Sequence, residues 1–553
     1  MRTTLLSLLA LAGLTVSLAA APPPVRGPGG VVAADHPLSA AAGAEILAAG
    51  GNAVDAGVAA SLAEGVVQAS AAGMGGGGFA VVRRAGETHV LDFREVAPSA
   101  GHPDMYLDGD GNVIEGLSTR GGLAVAVPGE SRGLAQLLTR HGTLSPKQVA
   151  APAIRLASGG FALNDFAADS LASKPDLTAA LLPGLGRTPV PGLVIERPRL
   201  AKTLKAWARS AGEDLHTGAG AQDLATAAQQ SGGVLTVQDL AGYVPQDRAV
   251  LVGQYRGHTV LTMPPPSSGG AVLLQVLSVL EHWDLESLGH NSSEHIHLLA
   301  EAFQHAYADR AAYMGDPDFT TVPVARFMTP ERVAQVRAAI DPDRTFDLDH
   351  YGVLIAPPVD AGTSHVSVID ADGVALALTS TINTSYGSRV VAPRTGVVLN
   401  NEMDDFVSKP GVPNTYGLVG REANAVEPGK KPLSSMTPTL VLDAEGQVVL
   451  AVGGSGGPFI ISNTLQVISN VLDFGMDVGE AVSVPRIHHQ WVPHLLFLDQ
   501  GIPVDVQLSL LARGHELKQF AFRSAVQAVH RSGDGLVGAS DPRKGGLPAG
   551  VAQ

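Results

Sequence analysis

The stretch that decides how this chain is read is Gly362-Thr363-Ser364-His365-Val366-Ser367-Val368-Ile369-Asp370, followed by Ala371-Asp372-Gly373 and a second run from Val374 to Ile382. The first run alternates, with Val366 and Val368 on one face and Ser367 and Ile369 on the other. Asp372-Gly373 is a turn signal, so the two runs read as a β-hairpin. A threonine at the head of such a strand is a poor nucleophile while its nitrogen is an amide. Cutting the Gly362–Thr363 bond would change that, because an α-amine with a pKa of roughly 7.7–8 takes the proton from its own hydroxyl. Gly362, without a Cβ, gives its carbonyl the freedom that self-attack requires. Taken alone, a Pro-rich loop (Ala356, Pro357, Pro358) running into an ordinary strand is the commoner reading.

Composition narrows the classes. The chain has 553 residues, enough for one large domain or several ordinary ones and for a core that needs no staples. Hydrophobic residues make up 45%, which marks a globular chain. Aromatics are only 5%, and a net charge of −15 is not interrupted by any Lys/Arg cluster; together these exclude a nucleic-acid partner. The lack of cysteine excludes disulfides, cysteine-based metal sites and a cysteine-linked lipid anchor. Arg2, the apolar stretch Leu5 to Val16 and the small residues Ser17-Leu18-Ala19-Ala20-Ala21 read as an export signal spanning residues 1–21. The apolar stretch is short for a membrane span of about 20 residues. The expectation is therefore an exported protein, periplasmic or extracellular, with no membrane span.

Helical patterns run from Pro37 to Leu47, Ala53 to Ala63, Ser145 to Ala157, Leu200 to Ala211, Ala271 to Trp283 and Ser293 to Met314. In the last, Glu301, Gln304, His305, Asp309 and Arg310 read as a charged, solvated face. Strand patterns fall at 79–83, 89–94, 365–370, 374–382, 397–400, 438–443 and 448–452. The glycine run Gly73 to Gly78 lacks Gly-Lys-Ser/Thr and precedes a strand, so it reads as close backbone packing and not as a phosphate loop. Strands flanked by helices at both ends of the chain, without regular βαβ alternation, favour a layered α+β body.

Several short segments carry candidate chemistry. Thr379-Ser380-Thr381-Ile382-Asn383 lies on the strand opposite Thr363, which brings Thr381 or Asn383 near it; a solvated strand face is the alternative. In Asn400-Asn401-Glu402-Met403-Asp404-Asp405-Phe406, Glu402 and Asp405 share one side of a turn. Two carboxylates facing one way call for a cation, either a substrate ammonium or calcium. The calcium-loop pattern with its central glycine is missing, which favours the ammonium. Ser434 and Ser435, within Pro432 to Pro438, can donate to a carboxylate or simply close a turn. Gly453-Gly454-Ser455-Gly456-Gly457-Pro458 leaves backbone N–H groups accessible, as an oxyanion hole requires; losing one such donor costs about 2.7–4 kcal/mol. Read singly, that run is more often a plain turn. His488-His489 are neighbours on a strand and point oppositely, which argues against a shared metal. No Gly-x-Ser-x-Gly elbow is present.

With Asp92-Phe93-Arg94-Glu95 and the tail Gly538-Ala539-Ser540-Asp541-Pro542-Arg543, these segments have the order and spacing of the γ-glutamyltranspeptidase family, which the chain resembles from about Val32 to that tail. The resemblance implies an N-terminal nucleophile hydrolase with a four-layer αββα sandwich. It implies self-cleavage into a large fragment, 22–362, and a small one, 363–553, which stay together as a heterodimer. It assigns Thr363 as nucleophile and Thr381 as the residue bonding its amine or hydroxyl. Asn383, Glu402 and Asp405 would clamp the donor's α-ammonium, and Arg94, Ser434 and Ser435 its α-carboxylate. Gly456 and Gly457 would form the oxyanion hole. Pro410 to Gly417 resembles a lid whose Tyr416 covers the donor. The site implied needs neither metal nor cofactor. The implied reaction moves the γ-glutamyl group of glutathione and related compounds to water, an amino acid or a dipeptide.

Two rival readings stand beside it. One is a glutaryl-β-lactam acylase or a poly-γ-glutamate-processing enzyme of the same architecture. A glutaryl group has no ammonium, so Glu402 and Asp405 count against that acylase. The other is an exported γ-glutamyl peptide-binding protein without turnover.

Overall fold

The computed structural model describes residues 23–352, 362–409, 412, 414–416, 418, 422–520, 524–533 and 535–552. The expected export signal, Ala356 to Pro358 of the approach, and Pro410, Gly411, Pro413 and Gly417 of the expected lid lie outside these residues.

Gly362–Asp370 and Ala375–Asn383 form the antiparallel hairpin expected from the sequence. Gly30–Ala34 pairs with its first strand and Gly77–Arg84 with its second, placing the hairpin in the middle of a seven-stranded antiparallel sheet. On one face, Val366, Val368, Leu376 and Leu378 pack under the helices Pro37–Ala48 and Ala53–Val67. The contact is close: a Cβ on Gly57 would lie 2.0 Å from Leu376 Cδ2. The other face looks at a second seven-stranded antiparallel sheet, which includes His258–Thr262, Thr439–Leu442, Val448–Ser455 and Ala525–Ser532. Val31, Phe79, Val81, Ile369 and Ala377 meet Leu261, Leu440, Ala451 and Val529 in the shared core between the sheets. The helices Gly269–Leu280, Ser293–Tyr313 and Phe459–Leu472 cover the outer face of the second sheet. The result is the four-layer αββα sandwich, with the hairpin buried on both sides.

The glycine run behaves as read. A Cβ on Gly75 would lie 2.0 Å from the Val398 carbonyl oxygen, and one on Gly76 1.9 Å from that of Thr381. Three expectations are corrected. Residues 397–400 form no strand; Val398 makes an isolated bridge to Val391, and the Asn400 side chain ties the segment to Gly75 and Ala126. The pattern from Ser145 to Ala157 is split into Pro146–Val149 and Ala151–Gly159, with Pro152 in the first turn of the second helix. The supposed solvated face of Ser293–Tyr313 is buried, because Arg332 covers Asp309, Thr345 and Tyr351 cover Glu301, and Arg310 turns inward to Ser268.

Candidate active site

Thr363 stands at the head of the hairpin, where the register shifts between Gly362 and Thr363. Its side chain falls on the same face as His365 and Ser367, toward the second sheet; a Cβ on Gly453 there would strike the His365 ring at 2.3 Å. Thr381 Oγ1 lies 3.2 Å from Thr363 Oγ1, donates to the Gly362 carbonyl oxygen at 2.9 Å and accepts the Asn383 N–H at 2.9 Å. Two hydroxyls and one backbone carbonyl thus form a single hydrogen-bonded cluster. Lys544 Nζ donates to the Thr363 carbonyl at 3.0 Å and to Ser455 Oγ at 2.6 Å, with Asp35 at 3.4 Å. Close by, burial pushes the Glu64 carboxyl up to about 8, with Asp35 adding to the shift.

The structure adds a reason for glycine at 362. Gly362 has no positive φ. A Cβ there would lie 2.5 Å from the Thr384 carbonyl oxygen and 2.8 Å from that of Ser70, so the position lacks space for a side chain.

The other end of the site is charged. Arg94 follows the Glu87–Asp92 strand and is buried. Its Nη1 pairs with Glu402, its Nη2 with Asp405 at 2.5 Å, and its Nε donates to the Pro432 carbonyl at 3.2 Å. Glu402 and Asp405 lie on one short 3-10 turn. The cation that two facing carboxylates require is therefore supplied by Arg94, which the sequence reading had placed in a separate clamp. Burial opposes the charge on Arg94, but Glu402, Asp405 and Glu95 outweigh it and raise the guanidinium pKa. Burial lifts Glu402 to about 7 against the pull of Arg94. It lifts Asp405 as well, and Glu95 well above the carboxylate range, where Glu402 adds repulsion.

Loops close the space between the two ends. Ser434 and Ser435 line it from a loop locked to its neighbour by Ser434 N–H to the Pro266 carbonyl and Ser268 N–H to the Ser434 carbonyl. Asn383 holds a positive φ of 73° and donates Nδ2 to the Asn401 carbonyl at 2.9 Å. Tyr416 is buried, donates its hydroxyl to the Asn383 carbonyl at 2.7 Å and lays its ring against Gly457. Gly456 and Gly457, with φ of 127° and 60°, turn the chain from Val448–Ser455 into Phe459–Leu472.

Arg94, Thr363, Thr381, Asn383, Glu402, Asp405, Tyr416, Ser434, Ser435 and Gly457 all line one narrow pocket, whose cavity volume is about 20 Å³. Gly456 is not among its lining residues. Gly362 instead borders a wider cavity with Lys174, Lys544 and Ser385, so the Gly362–Thr363 bond lies between the two spaces. Sequence reasoning missed Lys544 and Asn401. Lys544 directly follows the Asp541-Pro542-Arg543 motif, and Asn401 lies inside the quoted Asn400–Phe406 segment, so the signals were adjacency and a side chain able to bond backbone.

A family model described as gamma-glutamyltranspeptidase matches residues 39–551. The glutathione hydrolase proenzyme of Escherichia coli (strain K12) is 39% identical, with 96% of each chain covered. The acylase ACY 1 proenzyme of Pseudomonas sp. (strain SE83) is 36% identical over 96% of this chain and 95% of its own. The crystal structure of a cephalosporin acylase from Bacillus halodurans superposes with a TM-score of 0.83 at 25% identity, covering 99% of both chains. The match to the family model over nearly all of the sequence, joined to this fold, assigns the protein: the chain belongs to the gamma-glutamyltranspeptidase family.

Proposed function

We propose that this protein is a γ-glutamyl-transferring and hydrolysing enzyme that first cuts itself between Gly362 and Thr363. The observation that carries the reading is the cluster of Thr363 Oγ1, Thr381 Oγ1 and the Gly362 carbonyl beside a pocket whose far wall holds Arg94, Glu402 and Asp405. In self-cleavage, Thr363 Oγ attacks the Gly362 carbonyl carbon while the Thr381 hydroxyl supports the oxygen that gains charge. The peptide nitrogen leaves as the Thr363 amine, and the resulting ester is hydrolysed. Fragments 22–362 and 363–553 remain paired, the two halves of one continuous sandwich.

The freed amine then serves as base for the Thr363 hydroxyl. A γ-glutamyl donor carries an ammonium and a carboxylate on one carbon. Its carboxylate takes Arg94, Ser434 and Ser435, and its ammonium takes Glu402 and Asp405 with Asn383. The exchange leaves the buried charge unchanged, and charged hydrogen bonds contribute about 1.5–3 kcal/mol each. Thr363 attacks the γ-carbonyl, the oxyanion rests on the N–H groups of Gly456 and Gly457, and the amine passes its proton to the leaving amine. Water, an amino acid or a dipeptide then takes the γ-glutamyl group. Glutathione is the representative donor. Residues 1–21 direct the precursor out of the cytoplasm; among the described residues no helix is long and apolar enough to cross a membrane.

The likeness to acylases keeps a second reading, glutaryl or related acyl substrates. A glutaryl group would occupy Arg94 and bring no cation for Glu402 and Asp405, so the buried charge favours the amino acid. Intact mass of the purified exported protein tests the first step: two species, one beginning at Thr363, are expected, and a single stable chain overturns the reading. Assay of γ-glutamyl and glutaryl anilides side by side separates the substrates.

A further inference from the structure

The Ser293–Tyr313 helix carries His297 and Glu301 one turn apart, and the loop after Val504–Ala512 brings His515 against them. All three side chains are buried, and their candidate ligand atoms lie within 4.8 Å of one another. We propose that His297, Glu301 and His515 form a binding site for a divalent transition metal of the zinc class, separate from the catalytic pocket.

The hydrogen bonds around the three residues are those of an oriented ligand set. His297 Nε2 lies 2.7 Å from the Asp341 carbonyl, which takes its proton and leaves the Nδ1 lone pair facing His515 Nε2, also at 2.7 Å. A backbone carbonyl holding the far nitrogen of a ligating histidine is the usual outer support of a metal site. Glu301 receives Tyr351 and Thr345 hydroxyls, both at 2.6 Å, and Gln304 Nε2 at 2.9 Å. Each carboxylate oxygen has two lone pairs, so Oε2 retains one. The partners of Glu301 are all neutral, and no Lys or Arg pairs with it among the described residues. A buried carboxyl without a cation is what a divalent ion would relieve. Gln304 Oε1, one turn further on, is buried without a partner.

Two histidines and one glutamate are a ligand set that suits zinc, which would take its fourth ligand from water or a neighbouring side chain. With ligands at roughly 2.0–2.1 Å, the His297–His515 pair would open to roughly 3.3 Å and the His515 proton would move from Nε2 to Nδ1, freeing Nε2 for the ion. The site would also join two stretches. Asp341, Thr345 and Tyr351 belong to the end of the segment before the junction, and His515 to the segment after it. Trp491 Nε1 to the Leu348 carbonyl and Arg513 Nε to the Pro342 carbonyl run alongside, at 3.0 and 3.1 Å. An ion here would staple the large fragment's end to the small fragment. That consequence rests on the proposed cut; metal binding itself does not.

The test uses tag-free full-length protein stripped with a chelator, desalted and titrated with Zn²⁺ and with Co²⁺. Expected are one tightly held equivalent of zinc, a raised thermal unfolding midpoint, and an intense visible cobalt spectrum of a four-coordinate site. His515→Gln and Glu301→Gln should lose that equivalent, and Tyr351→Phe should weaken it roughly 10–100-fold. Wild-type protein that holds no zinc and gives only the pale spectrum of hydrated cobalt overturns the proposal, and that readout does not depend on any variant folding. Retention of the same equivalent by a folded His515→Gln variant overturns it as well. Either result can be read whether the chain is found cut or whole.

Discussion

The two ends of the candidate pocket are built on different principles. Thr363 and Thr381 are neutral and sit opposite each other in a strand pair, so the backbone ladder fixes their separation. Arg94 and Glu402 are buried, Asp405 is half-buried, and these charged groups sit on irregular segments, where they hold one another. A ladder holds neutral groups at hydrogen-bond distance from the Gly362 carbonyl and from each other. It cannot keep a buried charge satisfied, which requires an opposite charge. A matched set that is complete before the donor arrives can be exchanged for the donor's own two charges. On this comparison, damage at the neutral end stops bond cleavage of both kinds, whereas damage at the charged end stops donor binding and spares self-cleavage.

The largest expected effect is at the neutral end. Thr363→Ala should leave one uncut chain and lower γ-glutamyl hydrolysis by roughly 10³-fold or more, seen by denaturing electrophoresis and a steady-state assay. An active Thr363→Ala protein would break the comparison outright. At the charged end, Glu402→Gln leaves Arg94 half-paired and removes an ammonium ligand. The fragments should still form, while the donor KM rises about 100-fold, equivalent to about 3 kcal/mol. Loss of self-cleavage in that variant would show that the two ends are one unit.

Gly457→Ala sharpens the boundary between them. Its φ of 60° disfavours alanine by roughly 1–2 kcal/mol, and the new Cβ would press on the Tyr416 ring at 2.9 Å. We expect kcat to fall about tenfold with processing slowed less.

A different kind of effect, spread over several pH units, concerns stability. Glu64 is held at about 8 in the fold, above its ordinary 4.5, so its contribution is full below about 4.5 and is lost as pH rises through 8. Stability of the wild type should decline across that window, by at most about 1.4 kcal/mol per pH unit from this group. Glu64→Gln should flatten the slope, measured by thermal unfolding at a series of pH values; an unchanged slope would remove Glu64 as its source.

Much of this was legible in the chain. The hairpin followed from alternation and Asp-Gly, and the close packing of Gly75 and Gly76 from a glycine run with no phosphate-loop chemistry. The site residues came from quoted segments, and all but Gly362 and Gly456 line one space. The strands Gly30–Ala34, Leu251–Tyr255 and Ala525–Ser532 escaped notice. Gly30–Ala34 is buried throughout, so it shows no polar alternation, and the other two lie in stretches where local pattern competes with turns and helices. The Ser293–Tyr313 helix misled for the opposite reason: its charges look solvated until their partners, which lie outside the helix on other segments, are in place.

By itself the sequence determined which segments are able to carry chemistry, because residue type and short spacing decide what a group can donate, accept or attack. Only the tertiary structure decided that Arg94 is the cation between Glu402 and Asp405, that Thr381 reaches the Gly362 carbonyl, and that Gly362 is glycine for want of space. Each of these depends on distances between residues remote in the chain or on the room left between packed backbones, and neither is written in any local pattern.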